Sequence, residues 1–468
     1  MRVVQKYGGS SVATIEQIKK IAESIKNRLK TTPEIVVVVS AMGKTTNALI
    51  ALAQTVTTSP NKRELDALIS TGENQSVALM AMALQDLNIP AISLTGFQAE
   101  IHTNNTYGRA FITKINTSRI EQELAQHKVV IVTGFQGICE NKDLTTLGRG
   151  GSEATSKNKT KEISLKNTSN NNTEKTLLKK TLLYNPLTHN KTLPNSSPTF
   201  NKNKLKDTSN DTFIYDITTL GRGGSDTTAV ALATQLKCPC EIYTDVDSVF
   251  TINPALYPNA RSLHKVGYNS MMEMALNGAK VLETRCVELA KKYAVPLYLG
   301  HTLNNDFNKG SFIMQEEDLE EMPITNLSIK EDISLINLSF KNGELISKIF
   351  EVIQKHSINL EMFYSGQNKK QYVLSFVCPN NEVNDIIQDL QIVSSEIKIS
   401  TFTEYVKLSL IGSGLSTHTD IAHELFSTLA KNQIQVHQIV ITEISISFTI
   451  YKKDKEKAVT TIATLFQL

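Results

Sequence analysis

The chain has 468 residues, room for two to four domains, each with its own core. With 40% apolar and 20% charged residues it reads as an ordinary globular protein, and no run reaches the roughly 18 apolar residues that span a bilayer. Its net charge of +3 is local, because residues 153–217 hold eleven lysines against six acids; the slightly acidic remainder gives no support to a nucleic-acid-binding face.

At the N-terminus, "RVVQKYGGSS" predicts a strand that ends in a glycine turn. Lys6 closes the strand, Gly8 and Gly9 let backbone amides approach a ligand, and Ser10 adds a hydroxyl before the next helix. Such a turn can cradle phosphate or simply shape the backbone. No apolar leader precedes it, and five scattered cysteines (Cys139, Cys238, Cys240, Cys286, Cys378) argue for a reducing, cytoplasmic setting. Cys238-Pro239-Cys240 has no second pair nearby, so packing is expected there and no metal held by the protein.

"TIEQIKKIAESIKNRL" predicts an amphipathic helix with Ile18, Ile21, Ala22, Ile25 and Leu29 on one face. "EIVVVVSAMG" predicts a strand buried on both faces of a parallel sheet. Just beyond it, Ser40, Thr45 and Thr46 can donate to a carboxylate, and the two threonines can equally cap a helix. "STGENQSVALMAMAL" puts Glu73 at the mouth of a helix, where it serves either the helix dipole or a ligand. "HKVVIVTGFQG" repeats the strand-and-glycine device. Units of this kind build an open α/β sheet whose ligands bind beyond the strand carboxyl ends.

The stretch "TTLGRGGS" occurs twice, at 145–152 and 218–225. Between the copies, residues 153–217 are dominated by Asn, Lys, Thr and Ser and contain no Gly, the composition expected of a disordered insertion within one domain. The second copy leads into "DTTAVALATQL", a helix whose N-terminus can aim the loop; the first runs into the polar stretch. The second copy is therefore the expected site, with Arg222 as a fork for a carboxylate and Ser225 and Asp226 where the helix begins. "YTDVDSVF" then offers Thr244 and Asp245 after another strand, suited to a nucleotide. From about 324 the order strand, helix, strand, strand, helix appears twice, which predicts two small α+β modules for binding and pairing.

Together "KYGGSS", "VSAMGKTT", "STGEN", "TTLGRGGSDTTAVALA", "YTDVDSV" and "NGAKVLETR", followed by tandem modules, resemble the aspartate kinases of the monofunctional, feedback-regulated kind. The resemblance spans nearly the whole chain apart from 153–217. It implies a three-layer amino-acid-kinase (carbamate-kinase-like) domain at 1–152 and 218–303 with a central, mostly parallel sheet. Two ACT domains of βαββαβ order would follow at 324–400 and 401–468. It further implies transfer of the ATP γ-phosphoryl group to the side-chain carboxylate of L-aspartate, opening the lysine, methionine and threonine pathway. Lys6 and Lys280 would face the phosphates with Mg²⁺ bridging them, and Tyr7, Gly8, Gly9, Ser10, Thr244, Asp245 and Phe250 would complete the nucleotide site. Arg222 would hold a carboxylate of aspartate and Glu73 its ammonium, with Ser40, Thr46 and Ser225 around them. Asp226 would orient Lys6 or the metal.

The family usually has Tyr-Thr-x-Asp-Pro-Arg where this chain reads "FTINPA", so Phe250 lacks a hydroxyl and Ala255 a phosphate-holding arginine. In the modules, "FKNGE", Ser365 and "THTDI" depart from the usual effector-binding turns. Lysine or threonine is the implied effector, and a homodimer or higher homo-oligomer the implied assembly, with no nucleic acid and no membrane as partner. The alternatives are a kinase for a related substrate such as glutamate, N-acetylglutamate or UMP, and an inactive amino-acid-binding regulator.

Overall fold

The structure, a computed structural model, describes residues 1–139, 216–219, 223–279, 281–304, 309–315, 324–356, 358, 360–368 and 371–468. The first copy of the repeat and the stretch expected to be disordered, 153–217, lie outside the described residues apart from 216–217.

The first part of the chain runs β1 (Arg2–Tyr7), α1 (Ile15–Leu29), β2 (Glu34–Val39), α2 (Thr45–Val56), α3 (Lys62–Asp86) and β3 (Ala91–Leu94). Then come β4 (Ile101–Thr103), β5 (Ile112–Ile115), α4 (Ser118–Ala125), β6 (Val129–Thr133), β7 (Gln136–Cys139) and β8 (Asp216–Thr219). It continues with α5 (Gly224–Leu236), β9 (Cys240–Thr244), β10 (Val249–Phe250), β11 (Ser262–Leu263) and β12 (Lys265–Gly267). It ends with α6 (Tyr268–Leu276), α7 (Thr284–Tyr293), β13 (Leu297–His301) and β14 (Ser311–Met314).

An eight-stranded sheet of order β12-β14-β13-β9-β1-β2-β6-β3 forms the centre. Its pairings are parallel except β13 with β14. Successive strand residues alternate between two cores, as the period of two requires. Val4, Val36, Val38, Val130, Ile242 and Leu299 pack under α4, α5, α6 and α7. Val3, Tyr7, Val37, Val39, Ile131 and Tyr243 pack under α1 and α3. This is the expected three-layer arrangement. Helix α1 starts at a capping box, Thr14 with Gln17, and buries Ile18, Ile21, Ala22 and Ile25, with Leu29 partly buried beside them.

A smaller sheet, β5-β4-β7-β8, carries the hairpin in which Cys139 pairs with Asp216 and Gln136 with Thr219. Thr218 and Thr219, which begin the second repeat copy, thus lie in β8, and Gly224 and Ser225, which end it, open α5.

The second part comprises β15 (Asn326–Lys330), β16 (Ile333–Phe340), α8 (Leu345–Lys355), β17 (Tyr364–Asn368), β18 (Gln371–Pro379), α9 (Val383–Val393) and β19 (Lys398–Phe402). After these come β20 (Tyr405–Ile411), α10 (Thr419–Lys431), β21 (Val436–Ile441), β22 (Ser445–Tyr451) and α11 (Lys455–Phe466). Two four-stranded antiparallel sheets result, β17-β18-β16-β19 and β15-β20-β22-β21. One point differs from the tandem order read in the sequence. Strand β15, placed by the 324–400 division with the first module, pairs with β20 and belongs to the second sheet. Leu327 accounts for this, since it is buried in the second module's core with Leu408, Leu410 and Phe448. The first module is therefore inserted between two strands of the second.

Candidate active site

The carboxyl ends of β1, β2, β6 and β9 lie side by side, and the glycine turns that follow β1, β2 and β6 gather near the start of α5. Lys6, 8% exposed, points to the α5 side and meets Asp226, with Nζ 2.5 Å from Oδ1. The contact is an ion pair by distance, while Oδ1 has no directed hydrogen bond. A Cβ on Gly8 would lie 3.4 Å from the Lys6 amine, and a Cβ on Gly9 only 2.8 Å from the Ala41 carbonyl oxygen. The close approach at Gly9 lets its carbonyl accept the Gly43 amide at 2.9 Å, which locks the β1 and β2 turns together.

Ser40 sits between these turns. Its amide donates to the Tyr7 carbonyl at 3.2 Å and its hydroxyl to Ser225 Oγ at 2.8 Å. Ser225 and Asp226 occupy the first turn of α5, which Gly223 opens in a left-handed conformation, φ 70°. Thr46 is buried in the first turn of α2, and Thr45 donates to the Met42 carbonyl as a local turn bond.

Glu73 is a correction. It lies in the middle of α3, not at a helix mouth, and it is 3% exposed, so the helix dipole does not explain it. Oε1 accepts the Ala41 amide at 3.3 Å, just past Ser40. Gly72 permits this approach, because a Cβ there would lie 2.9 Å from Ala41 Cβ.

Other expected residues fall differently. Tyr7 neighbours Lys6 and so faces the opposite core, stacked on Tyr243 at 5.1 Å, with burial and the nearby Glu241 pushing its hydroxyl pKa well up. It serves the site through its backbone. Ser10 is exposed in the turn. Thr244 donates to Asp245 Oδ1 at 2.9 Å at the exposed end of β9. Phe250 lies in β10, where its carbonyl accepts Asn326 Nδ2 at 2.9 Å from β15. Arg222 and Lys280 lie outside the described residues. The five cysteines are buried thiols, and burial pushes Cys238 up to about 11 and Cys240 and Cys286 well above the usual range, as packing residues behave.

Two further residues belong here. A Cβ on Gly134 would come within 2.9 Å of Ser225 Cα, so only glycine lets the end of β6 meet α5. Phe135 follows it with φ 68°, a left-handed aromatic residue held by its amide bond to Thr228 Oγ1 at 3.3 Å. "VTGFQG" carried the signal, a glycine after a buried strand like the two others.

Among the described residues the arrangement is the Lys6 ammonium, the buried carboxylates of Asp226 and Glu73, paired hydroxyls and a helix N-terminus converging on glycine turns, a setting for anionic ligands. Residues 1–157 and 178–301 match the model of the amino acid kinase family, and 408–466 that of an ACT domain. The chain is also 32% identical to Aspartokinase 2 of Bacillus subtilis (strain 168), covering 100% of this chain and 98% of that protein.

The chain belongs to the amino acid kinase family, in its aspartokinase branch.

It is likewise 33% identical to an aspartate kinase of Pseudomonas putida, over 100% of this chain and 97% of that one. The fold matches Escherichia coli aspartokinase III, solved with aspartate and ADP, at a TM-score of 0.69 and 18% identity over all of both chains. Among the described residues no helix is long and apolar enough to cross a membrane.

Proposed function

We propose that this aspartokinase transfers the γ-phosphoryl group of ATP to the side-chain carboxylate of L-aspartate, forming 4-phospho-L-aspartate. The observation that carries the proposal is the buried Lys6–Asp226 pair, set where Ser40, Ser225 and the start of α5 converge. A carboxylate nucleophile has a pKa of about 3.9 and is already ionised, so no general base is needed. The difficulty is bringing one anion against another, and positioning with positive charge overcomes it.

In this reading Lys6 stabilises charge on the transferring phosphoryl group and Asp226 holds the ammonium in place. Amides of the Gly8–Gly9 turn approach the phosphates. Thr244 and Asp245 contact the nucleotide with Phe250 beside them, and Lys280 adds a second cation. Arg222 takes a carboxylate of aspartate, Glu73 its ammonium, and Ser40, Thr46 and Ser225 border it. Mg²⁺ would neutralise phosphate charge. The donor set fits a cation held mainly by phosphates and water, because no cluster of three ligating side chains exists among the described residues, while Asp245 presents an exposed carboxylate. The paired α+β modules support lysine or threonine as effector and homo-oligomer formation, and the pairing of β7 with β8 supports a catalytic domain split around the 153–217 stretch.

A coupled ADP-release assay tests the function. ADP should appear with L-aspartate and not with L-glutamate or without acceptor; equal ADP in all three would refute it.

A further inference from the structure

We infer that Glu283 is a positioning residue for the active site, acting through the glycine turn that opens α5. The inference deepens the aspartate-kinase reading and rests on it for its kinetic part.

Two adjacent glycines, Gly223 and Gly224, start α5, and no side chain caps that end. Glycine loses the most conformational freedom on ordering, so a double-glycine turn needs an external support if the residues after it are to be held precisely in place. Ser225 and Asp226 come next, and they bond Ser40 and Lys6.

The support comes from the head of α7. The stem of Glu283, Cβ and Cγ, fills the space where a side chain on Gly223 would stand, and its carboxyl carbon lies 3.0 Å from that point. Glu283 is itself the extended residue before α7, and its carbonyl accepts the Cys286 amide at 3.0 Å. Helix α7 is anchored by Cys286, Val287 and Ala290, all fully buried. A rigid helix thus presses a side-chain stem onto a pliable turn. Two residues on, Arg285 does the same for the neighbouring loop, with Nη2 3.1 Å from the Ala110 carbonyl and its guanidinium 4.5 Å over Phe111. The head of α7 braces both loops.

The contact is made by the stem, so Glu283→Gln keeps all of it and Glu283→Ala strips away the Cγ part, leaving only Cβ. In the full chain, Glu283→Ala should lower kcat about tenfold with KM for aspartate within about twofold, a smaller loss than the about 100-fold that a displacement of about 1 Å at the reacting groups can cost. Hydrogen exchange of the amides of residues 225–228 should quicken in the same variant. Glu283→Gln should match wild type in both measurements. Exchange needs no turnover, so it decides the brace even if wild type fails to use aspartate, an outcome that would sink the kinase reading instead. Should Glu283→Ala not fold, Glu283→Asp puts a hydrated carboxylate where the Cγ methylene lies and so weakens the same contact. The inference is overturned if Glu283→Ala leaves exchange and kcat unchanged, or if Glu283→Gln is as impaired as Glu283→Ala.

Discussion

Lys6 Nζ lies 2.5 Å from Asp226 Oδ1, tying the end of β1 to the first turn of α5 with both side chains about a tenth exposed. Removing one partner of such a pair leaves the other charge unmatched, at a cost of about 3 kcal/mol, less whatever solvent still reaches it. Asp226→Asn should therefore lower stability in urea unfolding. It should also lower kcat about 100-fold, because Lys6 is no longer held against the transferring group. Steady-state kinetics with ATP and aspartate check the second part.

Gly134 offers a sharper steric test. Its missing side chain is the room that Ser225 occupies, and the blocking atoms include the backbone Cα at 2.9 Å. Neither β6 nor α5 can retreat, since Phe135 and Thr228 hold them together. Gly134→Ala should cost about 1–3 kcal/mol in thermal unfolding and remove most activity.

The repeated stretch allows a prediction from covalent structure alone. The copies are identical over eight residues, so deleting 145–217 or 153–225 yields one and the same chain, and deletion cannot tell them apart. Substitution can. Arg149→Ala should leave activity within about twofold, while Arg222→Ala should lower kcat/KM for aspartate about 100-fold, the scale of a lost charge-assisted bond to a carboxylate. Because Cys139 pairs directly with Asp216, deleting 143–215 leaves Glu140, Asn141 and Lys142 as a three-residue hairpin loop. That shortened chain should fold with an undiminished thermal midpoint and retain aspartate-dependent ADP release.

Much of this was legible in the sequence, and what was not has physical reasons. Unbroken β-branched runs marked β2 and β6, and the 3.6-residue period marked α1. Glu73 was misplaced because Ser70, Thr71 and Gly72 look like a helix boundary. In α3 the two hydroxyls bond back to the Ala67 and Leu68 carbonyls, and Gly72 makes room for Ala41, so the helix runs through. Tyr7 was grouped with Lys6 by proximity in sequence, although neighbours in a strand face opposite sides. The pairing of β15 with β20 is a long-range choice between two sheets, which local pattern cannot decide.

The junction of the two modules gives a pH prediction. Glu361 bonds both Lys330 and Lys407, at 2.8 Å each, and Lys407 is almost wholly buried. Burial pushes the Glu361 pKa up, but Lys407 and Lys330 outweigh it and hold the carboxyl below its ordinary value. A folded-state pKa below the unfolded one gives stability that is present above the unfolded value, about 4.3, and is lost as pH falls through the folded value. Urea midpoints measured between neutral pH and about pH 3 should fall less steeply for Glu361→Gln than for wild type. Parallel curves would remove Glu361 from the acid response.

The central claim is that Lys6 and the glycine turns around it let two anions react. The most direct measurement is trapping of the acyl phosphate with hydroxylamine, using ATP and L-aspartate with wild type and with Lys6→Met. Aspartyl hydroxamate should accumulate with wild type and fall at least about 100-fold in the variant, as loss of a preorganised charge at the transferring group requires. Hydroxamate formed equally by both proteins, or by neither, would contradict the account.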